Sequence, residues 1–307
     1  MEEKDPGILG HLHPMLKLLL LAATMIASML VVMVIGILLA VPFFGADALQ
    51  TLGQDTMDIN FMRYVQILSH LGLFITAGIV FAFLVGYNPL GYFRGKKVPS
   101  VRALLISAAI IVVAAPMVYY LTYINQQMSL PESMRGIEEW MRSAEESAEA
   151  VTRMLLDVST LQGLLFNIFM IAIIPAIGEE FIFRGALQRI FHQWTRNAHV
   201  AVLIAAILFS AMHLQFYGFL PRLLLGALMG YMFVITGNIW VPVFAHFFNN
   251  AVAVTIYFFT NQTATDFDPG SLGAGPLAVI LAVASLVVVL ILFSVLRPRN
   301  AQGQDEE

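Results

Sequence analysis

The sequence predicts an all-α fold: a polytopic membrane helical bundle of about eight transmembrane helices, with one amphipathic helix outside the membrane. Three observations carry this. Hydrophobic residues make up 59% of the 307-residue chain and charged ones only 12%, and the mean hydropathy is positive, a balance far from that of soluble domains. Apolar runs long enough to cross a hydrocarbon core, roughly 20 residues each, recur along the chain. The segments between them are mostly short and rich in Gly, Asn, Asp, Lys or Arg, the chemistry of turns and interfaces.

The same composition narrows the function classes. The net charge is only -4 and no Lys/Arg block is present, so nucleic acid is excluded as a partner. The chain has no cysteine, which removes disulfide frameworks, Cys-ligated zinc and thiol nucleophiles together. His, Glu, Asp and Ser remain for any chemistry, and the lipid bilayer is the partner that every apolar run implies.

Residues 1–124 divide into three spans. His11 and His13 precede the first and are given no role. The first span, Leu16 to about Phe44, is too long for a signal-peptide core and lacks a clear cleavage site, so it is expected to be retained. An acidic loop with Asp47, Asp55 and Asp58 leads to the second span, Tyr64 to Gly86, which carries Ser69-His70. That histidine reads as one side of an interhelical hydrogen bond. The connection Tyr87–Ser100 holds Arg94, Lys96 and Lys97, and the third span, about Val101 to Ile124, contains Pro116, an expected kink.

Residues 125–160 differ from their surroundings. Met134, Ile137, Met141, Ala144, Ala148, Val151 and Leu155 recur at three- and four-residue steps, while Glu138, Glu139, Arg142, Glu145, Glu146 and Glu149 fill the other faces. This predicts an amphipathic helix with a solvated acidic face, which lies on the membrane surface, caps the bundle or binds a partner.

Residues 161–259 hold four further spans. The fourth starts near Leu161 and continues through Leu187, Ile190, Phe191 and Trp194, with Gly185 its weak point and Thr195-Arg196-Asn197 its turn. The fifth runs from Val200 to about Gln215, and the sixth from about Phe219 to Ile235. Gly226 and Gly230, four apart in the sixth, suit close helix packing. The seventh spans Ile239 to about Phe259. Residues 260–307 comprise a polar loop with Asp266 and Asp268, a last span over Ala274–Leu296 and a polar tail. Basic residues gather in the second connection, in the fourth (Arg189, Arg196) and in the tail (Arg297, Arg299), so both termini are expected in the cytoplasm. The expected location is a bacterial cytoplasmic membrane.

The polar residues inside these spans carry the function. Ile177-Gly178-Glu179-Glu180-Phe181-Ile182-Phe183-Arg184 places two carboxylates and a guanidinium in an apolar run, each carboxylate opposing insertion by roughly 2.5–3.5 kcal/mol. Glu180 and Arg184 share a helix face and can pair, whereas Glu179 is rotated about 100° away and lacks that partner. If the fourth and fifth spans form an unbroken hairpin, Glu179 and His213 both lie roughly 25 Å from the turn and are level. Phe209, one turn before His213, can pack on the imidazole. His246 and Asn250 share one face of the seventh span. Pro175, one turn before Glu179, would free a backbone carbonyl and open space beside the carboxylate.

A carboxylate, two imidazoles and an amide suffice to hydrolyse a peptide bond. Glu179 would take a proton from water, with His213 positioning that water or sharing the proton. His246 and Asn250 could donate to the oxyanion, a contribution of about 2.7–4 kcal/mol per donor, and Glu180 with Arg184 would brace Glu179. No cofactor is required on that reading. Glu179, His213 and His246 also form a His2Glu set suited to zinc with an open position for water, although no HExxH helix is present.

Glu179-Glu180-x-x-x-Arg184, Phe209-x-x-x-His213 and His246-x-x-x-Asn250, in that order on neighbouring hydrophobic helices, resemble the three motifs of the CPBP family of intramembrane proteases. That family includes the type II CaaX prenyl endopeptidases and bacteriocin-processing or immunity-associated (Abi) proteins. The resemblance covers about residues 161–255. It implies a membrane protease acting on membrane-associated or lipidated peptides, with Glu179 and His213 activating water and His246 and Asn250 on the oxyanion side. Members are commonly labelled metalloproteases, and a metal-free glutamate mechanism has also been proposed for them. The alternative from another class is a non-proteolytic scaffold, immunity factor or transporter that uses the same polar cluster for binding.

Overall fold

The computed structural model describes residues 7–54, 57–263 and 271–297. Asp55, Asp266, Asp268 and Arg299 lie outside the described residues. Every regular element among those described is helical.

Helix α1 (Pro14–Phe44) opens with proline in its first turn, and the Nδ1 atom of His13 accepts from the Met15 N–H. The second long helix, α2 (Ile59–Gly86), is capped by Asp58, which accepts from the Asn60 and Phe61 N–H groups. It loosens into a π turn over Leu71–Thr76. Ser100 caps α3 (Val101–Gln126), which continues through Pro116. The amphipathic helix α4 spans Arg135–Leu156.

Helix α5 (Leu161–Thr195) is continuous for 35 residues, so it does run past Gly185. Two π turns, Ile168–Ile173 and Phe181–Leu187, flank its central stretch. A Cβ on Gly185 would stand 2.5 Å from the Phe93 ring, so the expected weak point is a close packing contact. After Arg196, in left-handed conformation, Asn197 caps α6 (Ala198–Ala211). Helices α7 (Phe219–Thr236), α8 (Trp240–Thr263) and α9 (Pro276–Leu296) follow.

Seven helices among the described residues are long and apolar enough to cross a membrane, and α6 is an apolar helix too short for that criterion. Its 14 residues rise about 21 Å. The fifth span was expected to continue to about Gln215, but Leu214 turns the chain with a positive φ of 52°. Side chains satisfy the backbone of the resulting loop. Buried Asn125 donates to the Phe216 carbonyl and accepts from the Leu220 N–H, and Ser210 donates to the Phe219 carbonyl. Irregular backbone within a bundle is tolerated where protein groups pair it in this way.

The helices meet through small residues and aromatic rings. Gly226 of α7 faces Ala206 of α6, where an added Cβ would stand 3.2 Å from the Ala206 Cα atom, so the Gly226 face does pack. One core cluster gathers Phe74, Phe81, Phe93, Phe181, Phe183 and Phe209 around the middle of α5. Helix α4 docks on the loop after α6: Trp140 packs on Phe216 with ring centres 5.3 Å apart, Arg142 lies over the Tyr217 ring, and Glu145 accepts from the Tyr217 N–H. The acidic face is therefore not wholly solvated.

Candidate active site

The site is built around the middle of α5, where Pro175 interrupts the helical hydrogen-bond ladder. Proline has no N–H to offer the carbonyl four residues earlier, and that residue is Ile171. The Nδ2 atom of Asn250 on α8 donates to the Ile171 carbonyl at 3.2 Å. The Oδ1 atom of Asn250 in turn accepts from the Asn249 amide at 3.1 Å. The Ile171 carbonyl, in the π turn just before Pro175, thus ties α8 to the turn before Glu179.

One turn on, the two adjacent carboxylates take different partners. Glu180 is fully buried, and its Oε1 atom accepts from Arg184 Nη1 at 2.6 Å, as the four-residue spacing predicts. The same oxygen lies 2.9 Å from His246 Nδ1, a contact between α5 and α8 that the local spacing does not show. Arg184 completes its coordination by donating to the Gly226 carbonyl at 2.9 Å and stacking its guanidinium over the Phe209 ring at 4.8 Å. A buried guanidinium held by a carboxylate, a carbonyl and an aromatic face is well compensated.

Glu179 faces elsewhere. Its Oε2 atom is buried without a hydrogen-bond partner among the described residues and lies 3.9 Å from His246 Nε2, while Oε1 lies 3.7 Å from His70 Nε2. Because a carboxylate can only accept, His246 must donate from Nδ1 to Glu180, which leaves its Nε2 side toward Glu179. Glu180 therefore orients His246 as well as pairing with Arg184.

His213 follows the end of α6. Its Nδ1 atom lies 2.8 Å from the Phe209 carbonyl, which accepts only, so Nδ1 carries the proton and Nε2 of a neutral ring is a bare acceptor. His213 is near enough to Glu179 for electrostatic interaction. Phe209 stands between the two imidazoles, 5.1 Å from the His213 ring centre and 5.8 Å from that of His246, edge-on to both. The ring was expected to pack on His213; its contact with His246 and Arg184 comes from the tertiary fold.

The structure therefore gathers Glu179, Glu180, Arg184, Phe209, His213, His246 and Asn250 around the centre of α5, and adds His70 from α2. The sequence does contain a signal for His70, a histidine inside an apolar span, but nothing in its spacing points to Glu179. Among the described residues, no three His, Asp or Glu side chains lie close enough together to form a metal-holding group.

Residues 161–252 match the family model described as type II CAAX prenyl endopeptidase Rce1-like. Two curated proteins of Bacillus subtilis (strain 168) are also similar. "Uncharacterized protein YpbD" is 31% identical over 90 residues, covering 28% of this chain and 43% of that protein. "Putative membrane peptidase YdiL" is 31% identical over 103 residues, covering 34% of this chain and 41% of that protein. The chain thus spans less than half the length of each of these curated relatives. No solved structure matches it at a significant level.

Proposed function

We propose that this chain is a membrane-embedded endopeptidase that hydrolyses peptide bonds of membrane-associated or lipidated peptides, with Glu179 as the base. The observation that carries the reading is the division of labour between neighbours: each keeps its Oε2 atom buried without a hydrogen bond among the described residues, but Glu180 is committed through Oε1 to Arg184 and His246, while Glu179 faces His70 and His246 at 3.7 and 3.9 Å, too far for a direct bond to either. Buried polar atoms are nearly always paired, and an acceptor left open beside imidazoles suits the binding of a water proton. The match of residues 161–252 to a prenyl endopeptidase family supports the same reading.

In the proposed reaction, water held between Glu179 and the bare Nε2 of His213 loses a proton to Glu179, and its oxygen attacks the scissile carbonyl carbon. The negative charge that develops on the carbonyl oxygen is met from α8. Asn250 has a second N–H beyond the one given to Ile171. His246 donates from Nε2 only when its ring carries both protons, and Glu180, bonded to its Nδ1 atom, supplies the counter-charge once Glu179 has taken the water proton. When the tetrahedral intermediate collapses, the carbon–nitrogen bond breaks and the proton held by Glu179 passes to the leaving amine. This route requires no cofactor.

The test is cleavage by full-length protein in liposomes, followed with a farnesylated, quenched-fluorescent peptide ending in a CaaX sequence and by mass spectrometry of membrane peptides. Glu179→Gln is expected to abolish turnover while leaving the thermal unfolding midpoint within a few degrees of wild type. Cleavage by Glu179→Gln, His213→Ala and His246→Ala at the wild-type rate would overturn the enzyme reading in favour of a binding scaffold or transporter. Retained zinc in purified protein, together with loss of activity on chelation, would overturn the metal-free route. On this proposal both termini face the cytoplasm, a reading that the basic loops support and that protease accessibility in sealed vesicles checks.

A further inference from the structure

We propose that His70 is a positioning residue for Glu179, so that the site is completed by α2, outside the segment that matches the endopeptidase family. This rests on the peptidase reading for its catalytic meaning but not for its geometry. The Glu179 carboxylate is bracketed by two imidazoles, one on each oxygen: His70 Nε2 stands 3.7 Å from Oε1 and His246 Nε2 stands 3.9 Å from Oε2. Both separations exceed a direct hydrogen bond and fall in the range bridged by electrostatic attraction or one water. The two rings come from different helices, α2 and α8, and each faces a different oxygen of the one carboxylate.

The position of His70 is built, not incidental. Gln66, one turn earlier on the same helix, puts its side-chain amide nitrogen 3.4 Å and its backbone carbonyl 3.2 Å from His70 Nδ1. The nearer carbonyl accepts only, so when Nδ1 donates to it Nε2 bears a proton toward Glu179 in the doubly protonated ring; when instead the amide nitrogen donates to Nδ1, the neutral ring carries its proton on Nε2. The Phe74 ring covers the imidazole at 5.6 Å. A π turn begins at the residue after His70, and such turns concentrate at functional sites. On the facing helix, a Cβ added to Gly178 would stand 2.7 Å from the Phe74 Cβ atom, so the absence of a side chain beside Glu179 lets α2 approach closely enough for His70 to reach it.

His70 acts through Glu179. It holds Oε1 with positive charge or an N–H, leaving Oε2 to take the proton from water, and it touches neither water nor the scissile bond. Removing it would lower turnover with little change in substrate binding, whereas a purely structural histidine would lower the amount of folded protein and leave the rate per folded molecule alone.

The experiment pairs kinetics with a measurement that needs no substrate. In liposomes with the farnesylated CaaX peptide, His70→Leu is expected to lower kcat about 10–100-fold with KM within about twofold. His70→Gln, which restores an N–H donor, is expected to recover at least about tenfold of that loss. Wild-type kcat in His70→Leu, with Glu179→Gln inactive, overturns the proposal for His70 and leaves the peptidase reading standing. Equal cleavage by wild type and Glu179→Gln, or none by either, counts against the peptidase reading instead. The geometry is then judged by nitrogen NMR of histidine-labelled full-length protein in micelles, with the His70 signals assigned by their loss in His70→Gln. Glu179→Gln should move those ring signals, and unchanged signals overturn the proposal whatever the activity.

Discussion

Arg184 and Asn250 illustrate how single residues hold this site. Arg184 is 1% exposed and pairs with a fully buried carboxylate. Arg184→Ala leaves Glu180 with an uncompensated charge, a change of about 3–5 kcal/mol in known buried pairs. The expected outcome is a large drop in the thermal unfolding midpoint, and partial recovery when Glu180→Gln is added. Asn250 has two separable duties, on the Ile171 carbonyl and on the proposed oxyanion. Asn250→Ala should destabilise by about 1–3 kcal/mol, the loss expected for a buried carbonyl without a partner. In a Pro175→Ala background the restored N–H can serve Ile171, so the stability loss should shrink while any catalytic loss persists. A double-mutant cycle on unfolding and on kcat separates the two. Loss of both on the same scale in both backgrounds would mean that Asn250 acts only through structure.

At the scale of elements, the irregular stretches matter more than the regular ones. The π turns of α2 and α5 lie directly after His70 and directly after Glu180, and each shifts the register of the side chains beyond it relative to those before. The early end of α6 brings the loop that follows His213 against α4. Charge orders α4 itself: the Arg142 side chain one turn on, followed by the Leu130 N–H just before the helix, holds the Glu138 carboxyl below its ordinary value, and through this pair Arg142 is set over the Tyr217 ring of that loop. A carboxyl lowered in the folded state stabilises docking above the unfolded-state value and loses that contribution as pH falls through the lowered one. Docking of α4 should therefore be unchanged from neutral pH down to about 4.5 and loosen below it. The chain has no cysteine, so a spin label at Ser147→Cys reports α4 alone. Its mobility should rise as pH falls below that point, and Glu138→Gln should reduce the transition, the Glu145 carboxylate on the Tyr217 N–H contributing the rest. A label equally mobile at all pH values would show that the Glu138 pair does not hold the helix.

Across the whole molecule, the chain places polar and charged groups in an apolar bundle by drawing them from four helices: Glu179 and Glu180 from α5, His246 and Asn250 from α8, His213 from the end of α6 and His70 from α2. The amino-acid order alone determined what depends on neighbours within a turn or two. The apolar runs that become spans follow from it, as do the Glu180–Arg184 pair at four-residue spacing, the Gly226 packing face and the amphipathic pattern of α4. Periodicity encodes which residues share a face, because helix geometry is nearly constant. Only the tertiary structure decided that His246 bonds to Glu180, that Asn250 donates to the Ile171 carbonyl, that α6 stops at Ala211 and that His70 faces Glu179. Each of these depends on the angle and depth at which two distant helices meet, and those are set by the summed packing of many side chains, a quantity no local spacing contains.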